Sequence, residues 1–226
     1  MKTKTIAIIP ARGGSKRLPN KNILTLGTIP LIAHSIIYGQ QFTDVIDEIY
    51  VSTNDGAIKE VAIQYGAKVI DRPEAISGDR EPTITSLQHA LRVIEEPIEN
   101  VVLLQATNPL RPLDLFENAF NCFQDNKCNS LFTVSRNHNK LGKIVNHQFV
   151  PFNYQIGQRS QDLEPLYFEN GLLYITKATD IQKGKIITEN AFPFIVDHPF
   201  ANIDIDTLDD FEYAAYLFNK TNNKNI

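Results

Sequence analysis

The sequence has no surplus of positive charge, few cysteines and no long apolar run, and each shortage bears on function. Lys and Arg number 22 against 26 Asp and Glu, a formal net charge of −4. Bulk attraction to nucleic acid is therefore disfavoured, and any anion binding has to be local. The two cysteines, Cys122 and Cys128, sit in no zinc pattern and read as free thiols in or beside a helix. His34, His89, His138, His147 and His198 are scattered without metal spacing, and no Ser–His–Asp arrangement is supported by spacing. No apolar stretch is long enough to span a membrane. The opening MKTKTIAIIPA starts cationic, but its apolar run is too short for a signal peptide and passes straight into a loop. A cytoplasmic chain without an internal repeat is the expectation.

What is present fits one domain, or one domain with a small insertion. Of 226 residues, 42% are apolar and 21% charged, an ordinary balance for a chain able to bury a core. Short apolar runs at 5–9, 48–52, 68–70, 100–104 and 130–134 read as buried parallel strands. Helical spacing lies between them: Leu31, Ile32, Ser35, Ile36 and Gly39; Ile58, Val61, Ala62 and Tyr65, with Gly66 as a stop; Ile84, Leu87, Ala90, Leu91 and Ile94; Leu115, Ala119, Phe120 and Phe123. This alternation predicts an α/β domain with a parallel sheet. From 137 to 169 the chain turns polar, with weak alternation over 143–150, and reads as an inserted hairpin or arm. The α/β pattern resumes at 171–176 and 202–206. A last helix over 208–218 follows Asp206 and Thr207, either of which can cap it, and the tail 220–226 is expected to fray.

The stretch AIIPARGGSKRLPNKN, 7–22, joins the first strand to a loop with two glycines and four cations: Arg12, Lys16, Arg17 and Lys21. Ligands of open α/β sheets lie beyond the carboxyl ends of the strands. Gly13 and Gly14 allow backbone N–H groups to approach an anion. Arg12 offers a planar fork of donors, and Lys16 and Lys21 mobile point charges. The set suits a polyphosphate, with a solvated basic turn as the alternative. No GK[ST] follows the glycines and no GxGxxG is present, so neither a Walker A loop nor a dinucleotide fold is indicated.

IDID at 203–206 is the second signal. In an extended segment Asp204 and Asp206 share one side and Ile203 and Ile205 the other. Two such carboxylates make a hard-oxygen site suited to Mg²⁺. A helix-capping Asp206 beside a solvated Asp204 is the other reading. Asp209 and Asp210 fall in the first helical turn, where they favour the dipole, and read as structural.

Taken with VSTN (51–54), DRP (71–73), LLQATNPLR (103–111), RSQDLEPLYFENGLLYI (159–175) and IDIDTLDDF (203–211), the opening stretch resembles the acylneuraminate cytidylyltransferases, or CMP-sialic acid synthetases. The blocks fall in family order over nearly the whole chain. The resemblance implies a Rossmann-like nucleotidyltransferase fold, a three-layer α/β/α arrangement with a mostly parallel sheet and a small dimerisation insertion at 137–169. It implies that CTP is joined to a nonulosonic acid with release of pyrophosphate, using Mg²⁺, in a homodimer.

Carried onto this chain, the resemblance assigns nucleotide contacts to Ala11, Arg12, Gly13, Ser15, Lys16, Lys21, Asn22, Arg72 and Thr83. Arg12, Lys21, Asp204 and Asp206 become the catalytic set, with Asp204 and Asp206 on the metal. Sugar contacts fall to Gln105, Arg159, Gln161, Asn170 and Tyr174, Arg159 suiting a carboxylate, with the neighbouring subunit's pocket open to it as well as its own. Arg111 is open between an acid partner and the sugar carboxylate, and Lys140 and Lys143 between one another as a site lysine. Ala106 and Asn108 depart from the commoner LLQPTSPLR, which bears on the sugar pocket. STN at 52–54 departs from the commoner STD, which leaves CTP and GTP both open. The sugar is open among N-acetylneuraminate, legionaminate, pseudaminate and deoxy-octulosonate. A catalytically silent nucleotide-binding module with a partner-binding arm is the reading from another class.

Overall fold

The computed structural model describes residues 3–222. In chain order the strands are β1 (Lys4–Pro10), β2 (Thr25–Leu26), β3 (Ile29–Pro30), β4 (Glu48–Thr53), β5 (Lys68–Asp71), β6 (Ile98–Leu103), β7 (Ser130–Asn137), β8 (Gly142–Val145), β9 (Gln148–Pro151), β10 (Leu166–Lys177) and β11 (Phe192–Ile195). The α-helices are α1 (Leu31–Gln40), α2 (Gly56–Gln64), α3 (Thr83–Val93), α4 (Leu115–Asp125), α5 (Ala178–Gln182) and α6 (Leu208–Asn222).

A seven-stranded sheet of order β11-β7-β10-β6-β1-β4-β5 organises these elements. β1 pairs in parallel with β4 and β6, β4 with β5, and β7 with β11, while β10 runs antiparallel to both β6 and β7. The sheet is therefore mostly parallel, and every apolar run read as a strand is one.

Helices cover both faces because the strands are apolar on both. In β1, Ala7 and Ile9 pack with residues of α1, α2 and α4, whereas Ile6 and Ile8 pack with α3 and α5. That is the three-layer α/β/α arrangement, with burial of alternate residues on opposite faces as the main stabilising term. A third cluster, around Leu26, Leu31, Ile203, Ile205, Ala214 and Leu217, seats α6 against the opening loop and the IDID segment.

Local chemistry sets the helix ends. Asp55 caps α2 by accepting from the Ile58 N–H at 3.0 Å, and Gly66 follows α2 at φ +82°, the stop read from sequence. At α6 the capping residue is Thr207: its hydroxyl accepts from the Asp210 N–H at 3.3 Å, and the Asp210 carboxylate accepts from the Thr207 N–H at 2.8 Å. The Asp206 side chain is thereby left out of the cap, although its N–H also donates to the Asp210 carboxylate at 3.0 Å.

Three departures from the sequence reading matter. Residues 203–206 are extended but lie outside the sheet, after a 3₁₀ turn at Pro199–Asn202. The Ile205 N–H bonds to the Thr107 carbonyl at 2.9 Å instead of to a strand. Edge strand β11, with Pro193 inside it, and the short α5 carry too little periodicity to be read. Of the tail, 220–222 belong to α6, and 223–226 lie outside the described residues, as do residues 1–2 at the start of the MKTKT segment.

Residues 138–165 run between β7 and β10, while 137 and 166–169, at the ends of the segment expected as an arm, belong to the sheet itself. Leu166 pairs with Asn137 at the far end of the long β7–β10 ladder. Beyond that point β8 and β9 form an antiparallel hairpin. Ile144, Phe149, Phe152 and Ile156 on this arm are exposed.

Candidate active site

At the carboxyl ends of β1, β5 and β6 the chain opens a cleft of about 200 Å³. One wall is Ala11, Arg12, Ser15, Lys21 and Asn22, the other Arg72, Ile76, Ser77 and Thr83, with Gln105 and Thr107 at the end. A second chamber of about 410 Å³ is lined by Gln105, Glu169, Asn170, Tyr174 and Asp204, among others. Gln105 belongs to both, so the two chambers meet at that side chain.

The loop is built around a close approach. A side chain at Gly13 would place its Cβ 2.7 Å from an Asp55 oxygen, so only glycine allows the loop to lie against the start of α2. The sequence reading assigned the Gly13 N–H to phosphate; in the structure that N–H donates to Asn54 Oδ1 at 3.0 Å. Asn22 is likewise a fixing residue: its buried amide donates to the Arg12 carbonyl at 3.0 Å while its face lines the cleft. Ala11 is buried, and its N–H completes a bond to the Ser52 carbonyl at 3.0 Å.

Carboxylates hold the cations of the loop. Arg12 pairs with Asp79 at 2.6 Å, and Lys16 pairs with the other oxygen of the same carboxylate. The Lys16 and Arg12 contacts keep the Asp79 carboxyl below its ordinary range. Arg17 reaches Asp206 at 2.5 Å. Lys21 bonds to Asp206 at 2.9 Å and to the Ile205 carbonyl at 2.8 Å. The basic loop and the acid pair are thus in direct contact.

Arg72 is different. It is buried, its Nε and Nη2 have no partner among the described residues, and it lines the cleft. Burial, and then the nearby Arg12 charge, lower its pKa. An unpartnered buried guanidinium facing a cleft is costly unless an anion arrives there.

In the IDID segment Ile203 and Ile205 are buried, while Asp204 and Asp206 face outward. Asp204 lies in the second chamber and Asp206 beside the cationic loop. Partial desolvation pushes the Asp204 carboxyl up, and Asp206 adds to this, against the opposing hydrogen bond from Thr107 and the charge of Lys21. Among the described residues no group of three or more His, Cys, Asp and Glu could hold a metal ion. Mg²⁺ commonly takes one or two protein carboxylates and completes its shell with phosphate and water. Two carboxylates at the junction with a cationic loop fit that donor set.

Several residues assigned to the sugar have other duties. Asn170 lines the chamber, but its buried amide donates to Ser135 Oγ at 2.9 Å and accepts from Thr133 Oγ1 at 2.5 Å and the Leu172 N–H at 3.1 Å. Its side chain ties β7 to β10. Arg159 and Gln161 sit exposed on the arm and line neither chamber; Arg159 makes a two-point pair with Asp162 at 2.8 and 3.1 Å. Tyr174 is buried and donates to Glu169 Oε1 at 2.5 Å; desolvation, then that carboxylate, raises its pKa. Lys140 bonds to the Gln158 carbonyl and Lys143 lies over the Phe152 ring, both on the arm.

Arg111 has neither of the partners considered for it. Fully buried, it donates to the Leu172 carbonyl at 2.7 Å, Ser35 Oγ at 2.9 Å and the Gln105 carbonyl at 2.9 Å. Burial lowers its pKa to about 10. Asn108, the departure from serine, donates to the Ile203 carbonyl at 2.5 Å and the Asn170 carbonyl at 3.2 Å. It links the Gln105 turn to both neighbouring segments. A Cβ on Gly171, at φ +75°, would lie 2.9 Å from its Oδ1, which explains the glycine there.

Asp79, Thr107 and Glu169 were missed by the sequence reading. Asp79 lies in the loop between an edge strand and α3, where a lone acid has no distinguishing neighbours. Thr107 lay inside a quoted block, so the signal was present. Both cysteines are free, with burial raising their pKa, and the histidines form no cluster.

Known proteins resemble this chain in sequence and in fold. A family model described as cytidylyltransferase matches residues 6–223. Pseudaminic acid cytidylyltransferase of Campylobacter jejuni is 32% identical, over 95% of this chain and 96% of the relative. CMP-N,N'-diacetyllegionaminic acid synthase of Legionella pneumophila is also 32% identical, over 95% of this chain and 96% of its own length. N-acylneuraminate cytidylyltransferase of Streptococcus agalactiae reaches 32% over 95% of this chain but only 54% of the relative. A solved structure of CMP:2-keto-3-deoxy-manno-octonic acid synthetase with CTP superposes with a TM-score of 0.72 at 19% identity, over 97% of this chain and 100% of that one, a likeness of fold. With a family model spanning the sheet, the basic loop and the acid pair alike, the chain belongs to the cytidylyltransferase family.

Proposed function

We propose that this nucleotidyltransferase joins CTP to a nonulosonic acid of the sialic, legionaminic or pseudaminic type, giving a CMP-sugar and pyrophosphate. The observation that carries the reading is the contact of Lys21, which lines the first cleft, with Asp206, two residues from the Asp204 that lines the second chamber. The names of the relatives supply the substrate class. In this reading the cleft beside Arg12, Ser15, Arg72 and Thr83 takes the nucleotide, and the chamber beside Gln105, Tyr174 and Asp204 takes the sugar.

The anomeric hydroxyl attacks the α-phosphorus, the bond to the β-phosphate breaks, and pyrophosphate leaves with the electron pair as the hydroxyl proton is released. Arg12, Lys16 and Lys21 neutralise charge on the leaving group, and Arg72 meets the triphosphate with donors that the fold leaves free. Gln105, at the meeting of the chambers, orients the sugar. Asp204 and Asp206 would hold Mg²⁺, which would supply charge neutralisation for the triphosphate.

Arm 137–169, with its exposed apolar side chains, serves a homodimer, and Arg159 meets the sugar carboxylate in the other subunit's chamber. Nothing in the composition favours nucleic acid as a partner, and no helix among the described residues is long and apolar enough to cross a membrane. The working place is the cytoplasm, where CTP is available.

A pyrophosphate-release assay crossing CTP and GTP with N-acetylneuraminate, diacetyllegionaminate, pseudaminate and deoxy-octulosonate tests the reading. Release with CTP and one nonulosonic acid, dependent on Mg²⁺, is expected. Binding of CTP with no release across the panel would instead leave a silent nucleotide-binding module. Preference for deoxy-octulosonate or GTP would redirect the substrate assignment.

A further inference from the structure

We propose that Asn54 is a positioning residue: its side-chain amide sets the triphosphate loop by tying Gly13 to Glu74. This deepens the nucleotidyltransferase reading and rests on it. Asn54 directly follows β4 and lines neither chamber. Its Oδ1 accepts from the Gly13 N–H at 3.0 Å, and its Nδ2 donates to Glu74 Oε1 at 2.9 Å.

Each end of this bridge controls one wall of the nucleotide cleft. Gly13 adjoins Arg12, and a Cβ at this position would lie 2.7 Å from an Asp55 oxygen, so the loop passes close to Asp55 here. Glu74 opens a 3₁₀ turn two residues beyond Arg72, and Ile76 and Ser77 of the same segment line the cleft. One half-exposed amide therefore spans, from behind, the two walls that present Arg12 and Arg72 to the same space.

The chemistry calls for an amide. A backbone N–H can only donate and an ionised carboxylate can only accept, so the bridging group needs one acceptor and one donor on a short stem. The same constraint fixes which way the Asn54 amide points. Aspartate at this position would still accept from Gly13, but it has nothing to donate to Glu74 and would oppose it with like charge.

The test measures binding of inorganic triphosphate by titration calorimetry, and KM for CTP, KM for the sugar acid and kcat by pyrophosphate release. Three variants separate the bridge from simple charge effects. Asn54→Ala removes both bonds without changing net charge. The double variants N54D/E74Q and N54D/E74A carry the same net charge as the natural protein, but only in the first does the introduced glutamine have an N–H to donate to the introduced aspartate.

Asn54→Ala and N54D/E74A are expected to bind triphosphate about ten-fold more weakly, with a matching rise in KM for CTP. The sugar-acid KM should hold, and kcat should change less. N54D/E74Q should recover to within about three-fold of the natural protein. Unchanged triphosphate affinity in Asn54→Ala, or equal affinities in the two double variants, overturns the proposal. So does failure of the natural protein to bind triphosphate at all. If it binds triphosphate but releases no pyrophosphate with any sugar, the proposed reaction fails while the calorimetric comparison still decides the role of Asn54.

Discussion

Lys21 and Asp206 are separated by 185 positions in the chain, yet the ammonium of one donates to the carboxylate of the other at 2.9 Å. A further bond from Lys21 to the Ile205 carbonyl, at 2.8 Å, fixes the ammonium at the base of the IDID segment. The cation therefore serves as the counter-ion of a proposed metal ligand.

Asp204 gives a prediction whose sign follows from its environment. Partial desolvation raises its pKa, with Asp206 adding to the effect. A carboxyl whose folded pKa lies above its unfolded value binds more protons when folded. Its contribution to stability is largest below the unfolded value, about pH 4, and is lost as pH rises to the folded value. At neutral pH the charged Asp204 is thus a cost to the fold. Asp204→Asn should abolish pyrophosphate release yet melt at the same or a higher temperature than the natural protein at pH 7, with the difference closing near and below about pH 4. A lower melting temperature at pH 7 would show that Asp204 holds the fold together instead.

Arg72 should separate binding from stability in a related way. Its Nε and Nη2 are buried without partners among the described residues. Arg72→Met keeps most of the apolar stem and removes the unsatisfied donors. The variant should raise KM for CTP by about ten-fold or more, as expected for loss of a charge-assisted contact. Thermal stability should be unchanged or improved. A drop in stability without a change in KM would assign Arg72 to the scaffold.

Asp79 occupies the cations that the proposed triphosphate needs, pairing with Arg12 at 2.6 Å and with Lys16. In the proposed reaction the nucleotide would displace this carboxylate. Asp79→Asn should therefore tighten binding of inorganic triphosphate by about two- to five-fold, the scale of exposed ion pairs. The gain should shrink as salt is added, because such pairs are screened. Weaker binding in calorimetry would mean that Asp79 helps to form the loop instead of competing for it.

Arg111 is predicted to matter for the fold well before it matters for chemistry. Its guanidinium satisfies three buried oxygens on different segments, at Ser35, Gln105 and Leu172. Lysine cannot reproduce that planar fork. Arg111→Lys should cost about 3 kcal/mol of stability, measured by urea unfolding. Chemical shifts of Gln105 should move as well, since its carbonyl is one of the three acceptors.

Much of the fold was legible because strand and helix periodicity is local. The apolar runs at 5–9, 48–52, 68–70, 100–104 and 130–134 became β1, β4, β5, β6 and β7. What escaped was short or depended on a neighbour. β11 is four residues with an internal proline, and it forms a strand because β7 offers an edge. The IDID segment alternates like a strand, yet its N–H groups find no sheet: that of Ile203 bonds to the Phe200 carbonyl, that of Ile205 to the Thr107 carbonyl and that of Asp206 to the Asp210 carboxylate. Alternation reports that one side is buried, and a buried side does not require a ladder.

At the site the same division holds. By itself the sequence determined a glycine-bearing cationic loop after a first parallel strand and a same-side pair of acids near the end, because residue type and spacing settle those properties locally. Only the tertiary structure decided that Lys21 meets Asp206, that Asn170 and Arg111 spend their hydrogen bonds on the scaffold, and that Asn54 joins Gly13 to Glu74. An amide or a guanidinium has the same identity in the sequence whether its donors face a ligand or a distant carbonyl. The partner that claims them is brought within 3 Å only by packing of the sheet and its helices, so the choice is made by the fold.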